Sequence, residues 1–173
     1  MSTNDIVSGR KGSATIELEG DAGIVVTRLF DAPAALIYKA WTTPELVRRW
    51  WGFETSEWLV CEVDLREGGQ WRYVIKDEGQ EIGFHGTFKE IAGPGRLVNT
   101  EVYEGIPESP VGDWGPGTLN TLTLEESGGI TTLTQHIDCG TPEVRDMLLQ
   151  SGMEVGMQVG YDRIEDLVKE LGS

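Results

Sequence analysis

Between residues 57 and 138 apolar and polar side chains alternate with a period of two, the mark of strands with one covered face. Leu59, Cys61, Val63 and Leu65 alternate with Glu62, Asp64 and Arg66; Trp71, Tyr73 and Ile75 form the next apolar row, followed by Ile82, Phe84, Gly86 and Phe88. Leu97 to Tyr103, Thr118 to Leu124 and Ile130 to Ile137 continue the series. Glu67-Gly68-Gly69, Asp77-Glu78-Gly79, Gly93-Pro94-Gly95 and Ser127-Gly128-Gly129 supply turns between them. Successive strands joined by short turns predict an antiparallel meander. Upstream, Thr15 to Glu19 and Ile24 to Phe30 read as two further strands around Gly20-Asp21-Ala22-Gly23, and residues 1–12 read as a loose polar arm.

The period changes twice. Asp31-Ala32-Pro33 opens a helix in which Asp31 caps free N–H groups and Leu36, Ile37, Ala40 and Trp41 share a face. Thr43-Pro44-Glu45 repeats the start signal, Leu46, Val47, Trp50 and Trp51 form an apolar side, and Gly52 ends this second short helix. Thr141-Pro142-Glu143 starts the last element, and no Pro follows before Leu171. Val144, Met147, Leu148, Ser151, Val155, Met157, Tyr161, Ile164 and Val168 lie along its stripe. One helix of about 30 residues, some 45 Å long, is expected. Gly152, Gly156 and Gly160 interrupt it every fourth residue; each Gly costs roughly 1 kcal/mol against Ala. Close helix–sheet approach or room for a ligand accounts for them. The segment Glu104 to Gly117 breaks the rhythm with three Pro and four Gly around Trp114, and reads as a crossover or a lid. The fold class is α+β: an antiparallel sheet with a long C-terminal helix, and two short helices between the early strands.

The net charge of -15 changes the list of partners. Phosphate recognition and anionic lipid both need a basic face, so neither nucleic acid nor a membrane is expected. The N-terminus has no apolar run and no stretch approaches the roughly 20 apolar residues of a membrane helix, so a cytoplasmic location is expected, with Cys61 and Cys139 as free thiols. The cysteines and the two histidines form no metal-ligand spacing, and no cofactor is expected. There is no GxSxG, no GxGxxG and no P-loop, and no catalytic residue is assigned. His85 and His136 fall in strands on the rows opposite the apolar ones.

Several motifs stand in one order: Phe30-Asp31-Ala32-Pro33, Ala40-Trp41-Thr42-Thr43-Pro44-Glu45, Arg49-Trp50-Trp51-Gly52, Asp64-Leu65-Arg66-Glu67-Gly68-Gly69-Gln70-Trp71-Arg72, Glu90-Ile91 with Arg96-Leu97, Arg145-Asp146, and Gly152-Met153-Glu154-Val155-Gly156-Met157. With these the chain resembles, from about residue 15 to residue 171, the small bacterial homologues of the Aha-type activator of the heat-shock chaperone ATPase, within the START-like or SRPBCC superfamily. The resemblance implies a helix-grip fold, with a curved sheet around the long helix and a deep cavity between them, and residues 13–173 as one START-like domain. Superfamily relatives hold lipids, sterols or polyketides there, and a few catalyse cyclisation.

The residues expected to line that cavity are Trp41, Trp50, Trp51, Trp71, Tyr73, Phe84, Phe88 and Trp114, with Met147, Met153, Met157 and Gly156. Apolar walls with few polar groups are how small molecules are usually held. Binding of a small hydrophobic molecule is therefore the leading reading, with an internal cavity of several hundred Å3 expected. A cyclase- or hydrolase-type enzyme is the second, and needs an interior polar group with a shifted pKa, for which Tyr73, His85, Glu101 and His136 are the candidates. Contact with a chaperone, or with a second copy of the chain, is the third, and needs an exposed apolar patch.

Overall fold

The computed structural model describes residues 12–172 except 54, 105–109 and 113. Among the described residues ten strands and four helices follow one another: β1 (Thr15–Glu19), β2 (Gly23–Phe30), α1 (Ala34–Thr42), α2 (Pro44–Trp50), β3 (Glu57–Val63), β4 (Gln70–Asp77), β5 (Gln80–Ala92), β6 (Arg96–Tyr103), β7 (Pro110–Gly112), β8 (Gly115–Pro116), β9 (Thr118–Ser127), β10 (Ile130–Asp138), α3 (Pro142–Gln150) and α4 (Met153–Gly172). Eight strands form one antiparallel sheet in the order β1-β2-β10-β9-β6-β5-β4-β3. The α+β architecture expected from the alternation and the terminal helix is observed, in the helix-grip arrangement that the family resemblance implies. Bulges between Trp58 and Val60 and between Phe88 and Glu90 bend β3 and β5.

The inner face of the sheet follows from the period of two. In β2, Ile24, Val26, Arg28 and Phe30 are buried and alternate with half-buried residues. Leu97, Leu122, Leu124 and Leu133 continue that face across β6, β9 and β10, and Ile37, Ala40, Tyr161, Ile164, Leu167 and Val168 close the core from α1 and α4. Arg28 is the exception on its row. Its guanidinium, with no exposed surface, bonds Glu165 at 3.0 Å and Asp162 at 3.2 Å and lies 4.6 Å from the centre of the Phe30 ring.

Helix starts follow the expected signals with two corrections, the first at α2, where Thr43 holds the N-cap position and Pro44 the first turn but the Thr43 side chain makes no capping bond. Thr141 accepts from the Val144 N–H at 3.2 Å, with Pro142 in the first turn. The α1 N-terminus is instead capped from across the fold, by Glu126 Oε1 on the Ala34 N–H at 2.8 Å, while the Asp31 N–H donates to Glu165. Of the expected loose arm only Gly12 is described, and its N–H donates to the Asp162 carboxylate at 2.9 Å. The 104–117 segment carries the short β7–β8 hairpin, and its residues 105–109 and 113 lie outside the described ones.

The single long helix is corrected to two. Gly152 adopts φ +85°, a left-handed conformation that ends α3, and the Ser151 hydroxyl donates to the Leu148 carbonyl at 2.6 Å. The three glycines have three different uses. Gly152 is a chain break. Gly160 is buried against Trp50, and an added Cβ would sit 3.6 Å from its ring. Gly156 faces open space, with nothing within 4 Å of an added Cβ. Gly156→Ala is therefore expected to raise stability by about 1 kcal/mol through helix propensity, and Gly152→Ala to lower it by about 1 kcal/mol through its left-handed backbone. Urea denaturation checks both; a Gly156→Ala loss would show that something occupies that space.

Among the described residues no helix is long and apolar enough to cross a membrane, and no group of His, Cys, Asp and Glu is placed to hold a metal.

Candidate functional site

The two halves of α4 differ. All its buried residues, Gly160, Tyr161, Ile164, Glu165, Leu167 and Val168, lie in its C-terminal part. From Met153 to Val159 none is buried, and α3 has no buried residue at all. In this half of α4 Met153, Met157 and Gln158 are half-buried; the two methionines pack against the core, and Gln158 bonds the Ala14 backbone beside β1.

Strands β3 to β6 and the close of α2 form an aromatic floor. Trp51 at the close of α2 lies 5.3 Å from Tyr73 and from Phe84, ring centre to ring centre, and 5.6 Å from Trp58. Trp71 stacks beside Tyr73 at 4.7 Å, and Phe84 meets Tyr103 edge to face at 5.1 Å. Strand register explains the assembly. Cys61 pairs with Tyr73, Tyr73 with Phe84, and Phe84 with Tyr103, so one row of inward positions runs across four strands. Trp51, Trp58, Tyr73 and Phe84 all keep accessible surface although they stand on the covered face.

The adjacent row is polar. Glu101 pairs with Thr118, and Asn99 pairs with Asn120, on the same inner face as Leu97 and Leu122. Gly86 precedes Glu101 in this row from the β5 side, because β5 and β6 pair His85 with Val102 and Phe88 with Asn99. Trp71 lies over Gly86, where an added Cβ would sit 2.6 Å from its Nε1, and its indole N–H donates to the Thr100 carbonyl. The Thr118 hydroxyl donates to Asn120 Oδ1 at 3.3 Å, and the Asn120 side chain bonds the Glu101 carboxyl. Burial raises the Glu101 pKa to about 7, the Asn120 bond opposing it. Yet Glu101 is only half-buried by its own surface. The Glu101 carboxyl thus stands among desolvating neighbours while keeping some accessible surface. Burial also pushes the neighbouring Tyr73 hydroxyl well above its usual range, with the fields of Cys61 and Glu101 adding to it.

Of the residues expected to line a cavity, the structure brings Trp51, Trp71, Tyr73 and Phe84 together on the floor. Met153 and Met157 lie on the inner side of α4, and Gly156 is exposed beside them. Trp41 and Trp50 pair at 5.0 Å against Tyr161, in the packed part. Trp50, Trp71 and Phe88 are core residues, at 5 to 7% exposure. Trp114 stands apart in the β7–β8 turn, its indole donating to the Gly117 carbonyl at 2.9 Å, and Met147 on α3 is 53% exposed. Trp58, Tyr103, Asn120 and Thr118 were not singled out from the sequence. A signal existed: in Leu97-Val98-Asn99-Thr100-Glu101-Val102-Tyr103 the inward row carries Asn and Glu between apolar ends.

Two shallow hollows lie elsewhere among the described residues. One, of about 400 Å3, is lined by the 62–70 turn around Arg66, and the other, of about 260 Å3, by Glu19 to Ile24 and His136 to Asp138. Neither touches the floor. The histidines lie outside the site, as their rows required. His136 is exposed, and His85 joins Arg72 on the outer face, both bonded to Glu104, at 2.8 and 2.9 Å. Those bonds, Arg72 first, hold the Glu104 carboxyl down at about 2.

Structures of similar proteins share this architecture. A Rhodobacter sphaeroides protein superposes with a TM-score of 0.79 at 26% identity, covering 91% of this chain and 99% of that one. A Mycobacterium smegmatis protein gives 0.77 at 20% identity, with 91% and 99% covered, and a Nitrosomonas europaea protein 0.76 at 23%, with 90% and 99% covered. No curated protein matches the chain. The sequence pattern described as "Activator of Hsp90 ATPase homolog 1-like protein" matches residues 31–169, from the end of β2 through most of α4. With the helix-grip architecture and that match over most of its length, the chain belongs to the family of Activator of Hsp90 ATPase homolog 1-like proteins.

Proposed function

We propose that this protein binds a small hydrophobic molecule on the aromatic floor of β3–β6, beneath the N-terminal half of α4. The observation that carries this reading is the contrast within α4. Its C-terminal half buries one face in the core, while none of its residues from Met153 to Val159 is buried, and Trp51, Tyr73 and Phe84 keep accessible surface on the covered side of the sheet. Aromatic side chains on a covered face lose surface to water unless something else covers them, and a ligand of matching size does so. Met153 and Met157 suit a ligand of irregular outline, because the thioether side chain repacks at low energy. The two free, buried thiols, Cys61 and Cys139, support a reducing cytoplasm as its place.

Titration calorimetry with naphthalenemethanol, a neutral bicyclic probe, tests the reading. Saturable one-site binding is expected, and Trp51→Ala and Tyr73→Ala should each weaken it about tenfold, the loss of roughly one aromatic contact surface. Leu59→Ala, at a position 42% exposed, should leave it unchanged. Absence of saturable binding to the native chain overturns the proposal. Mass spectrometry of the native protein from its own host then reports the natural occupant.

A further inference from the structure

The carboxyl of Glu101 is the charged group of the inner face that the packing does not account for. At the other end of the core Glu165 and Asp162 both pair with Arg28. Glu101 has no such partner: what acts on it is burial and the Asn120 amide, and among the described residues no cationic side chain reaches it. Arg72, the nearest arginine along β4, stands on the outer face with Glu104 and alternates away from Trp71 and Tyr73. A buried carboxylate without a countercharge is strongly disfavoured. The group escapes this by keeping its proton, which its pKa near 7 allows, or by meeting a cation brought from outside.

The surroundings favour the second course. Tyr73 lies within the field of Glu101, and through it the rings of Trp71, Trp51 and Phe84 are joined at centre distances of 4.7 to 5.3 Å. Ring faces attract cations, and more so when desolvated. The net charge of -15 raises the concentration of organic cations near the surface. We propose that the site takes an organic amine, its ammonium group bonded to the Glu101 carboxylate beside Asn120 and its apolar body laid on the rings of Trp51, Tyr73 and Phe84. This rests on the hydrophobic site proposed above and names its ligand class. The ammonium keeps its proton, so binding draws the carboxyl into its ionised form.

Naphthylmethylamine and naphthalenemethanol differ in the charged group and little else. At about pH 8 and roughly 0.15 M salt, where non-specific attraction is screened, the amine should bind the native chain at least about tenfold tighter than the alcohol. In Glu101→Gln the ratio of amine to alcohol affinity, both measured on the same variant, should fall to about twofold. The native chain offers a second readout that needs no variant. At about pH 5.5 Glu101 holds its proton more firmly, and the advantage should shrink several-fold. Tyr73 and Cys61, the other titratable groups facing the site from β4 and β3, stay protonated over that range, burial pushing both up. The neighbours from β9, Thr118 and Asn120, and from α4, Met153 and Met157, do not titrate. Equal binding of the two probes overturns the amine proposal and leaves the hydrophobic site standing. An amine preference that survives Glu101→Gln also overturns it, assigning the preference to general surface acidity. Failure of both probes removes both readings.

Discussion

Glu101→Gln is expected to stabilise the ligand-free protein by about 3 kcal/mol at about pH 8 and to leave it nearly unchanged at about pH 4. The folded-state pKa of Glu101 is raised to about 7, against about 4.5 for an unperturbed group. At low pH the carboxyl is protonated in both folded and unfolded chains, and folding is indifferent to it. As pH rises from about 4.5 to 7 the unfolded chain releases its proton first and is favoured, so the native protein loses stability across that window. Beyond it the loss levels off at roughly 1.4 kcal/mol for each of about 2.5 pKa units. Gln keeps the shape and the hydrogen bond from Asn120 but has nothing to ionise. Urea denaturation of both proteins over this range gives the difference directly, and in thermal melts it should be worth roughly 6 to 12 °C in Tm. Parallel pH profiles for the two chains would show that the carboxyl is solvated and the interior reading wrong. A gain in stability on removing a charged residue is the pattern of a group kept for binding rather than for the fold.

Arg28→Met is expected to destabilise by about 3 to 5 kcal/mol. Arg28 satisfies two carboxylates that cannot reach water easily: Glu165 is 1% exposed and receives both the guanidinium and the Asp31 N–H. Removing the guanidinium leaves Glu165 charged, buried and held by one backbone donor. It also unties Asp162, which in turn holds the Gly12 N–H, and bares the face of Phe30. The double variant Arg28→Met with Glu165→Leu should recover most of the loss, because two apolar side chains of similar volume pack there without unmet charge. The pair is already imperfectly served, since Arg28 Nε and Glu165 Oε2 have no partner in the protein. A double-mutant cycle in urea measures the coupling. A single-variant loss below about 1 kcal/mol, the range of exposed ion pairs, would place the pair in solvent.

Most of the fold was legible because strand periodicity and turn residues are local signals. Each of the eight strands of the main sheet, both early helices and the start of α3 stand where alternation, Pro and Gly put them. The misread features are those decided by distant contacts. A Gly inside an apolar helical stripe looks the same whether it breaks the helix, as Gly152 does, approaches a ring, as Gly160 does, or faces space, as Gly156 does. Glu126 caps α1 from a strand 92 residues away, and no local rule selects it over Asp31. The site was legible in kind and not in membership. Aromatic content pointed to Trp51, Tyr73 and Phe84, but composition does not separate rings that end in the core, such as Trp50, Trp71 and Phe88, from rings that keep free surface. Trp58 and Tyr103 join them only through register. Glu101 drew attention as an ionisable residue; that it lies inward, next to Asn120, follows from the pairing of β6 with β9.

That pairing also limits how such a protein diversifies. Asn99 and Glu101 share β6 with Leu97, and the ladder that seats Leu97 in the core seats them as well. Sliding β6 by a single position would deliver Val98, Thr100 and Val102 to the interior and turn both polar groups outward. A side-chain exchange at 99 or 101 therefore leaves the ladder in place, whereas an insertion or deletion within β6 would carry both polar groups off the inner face.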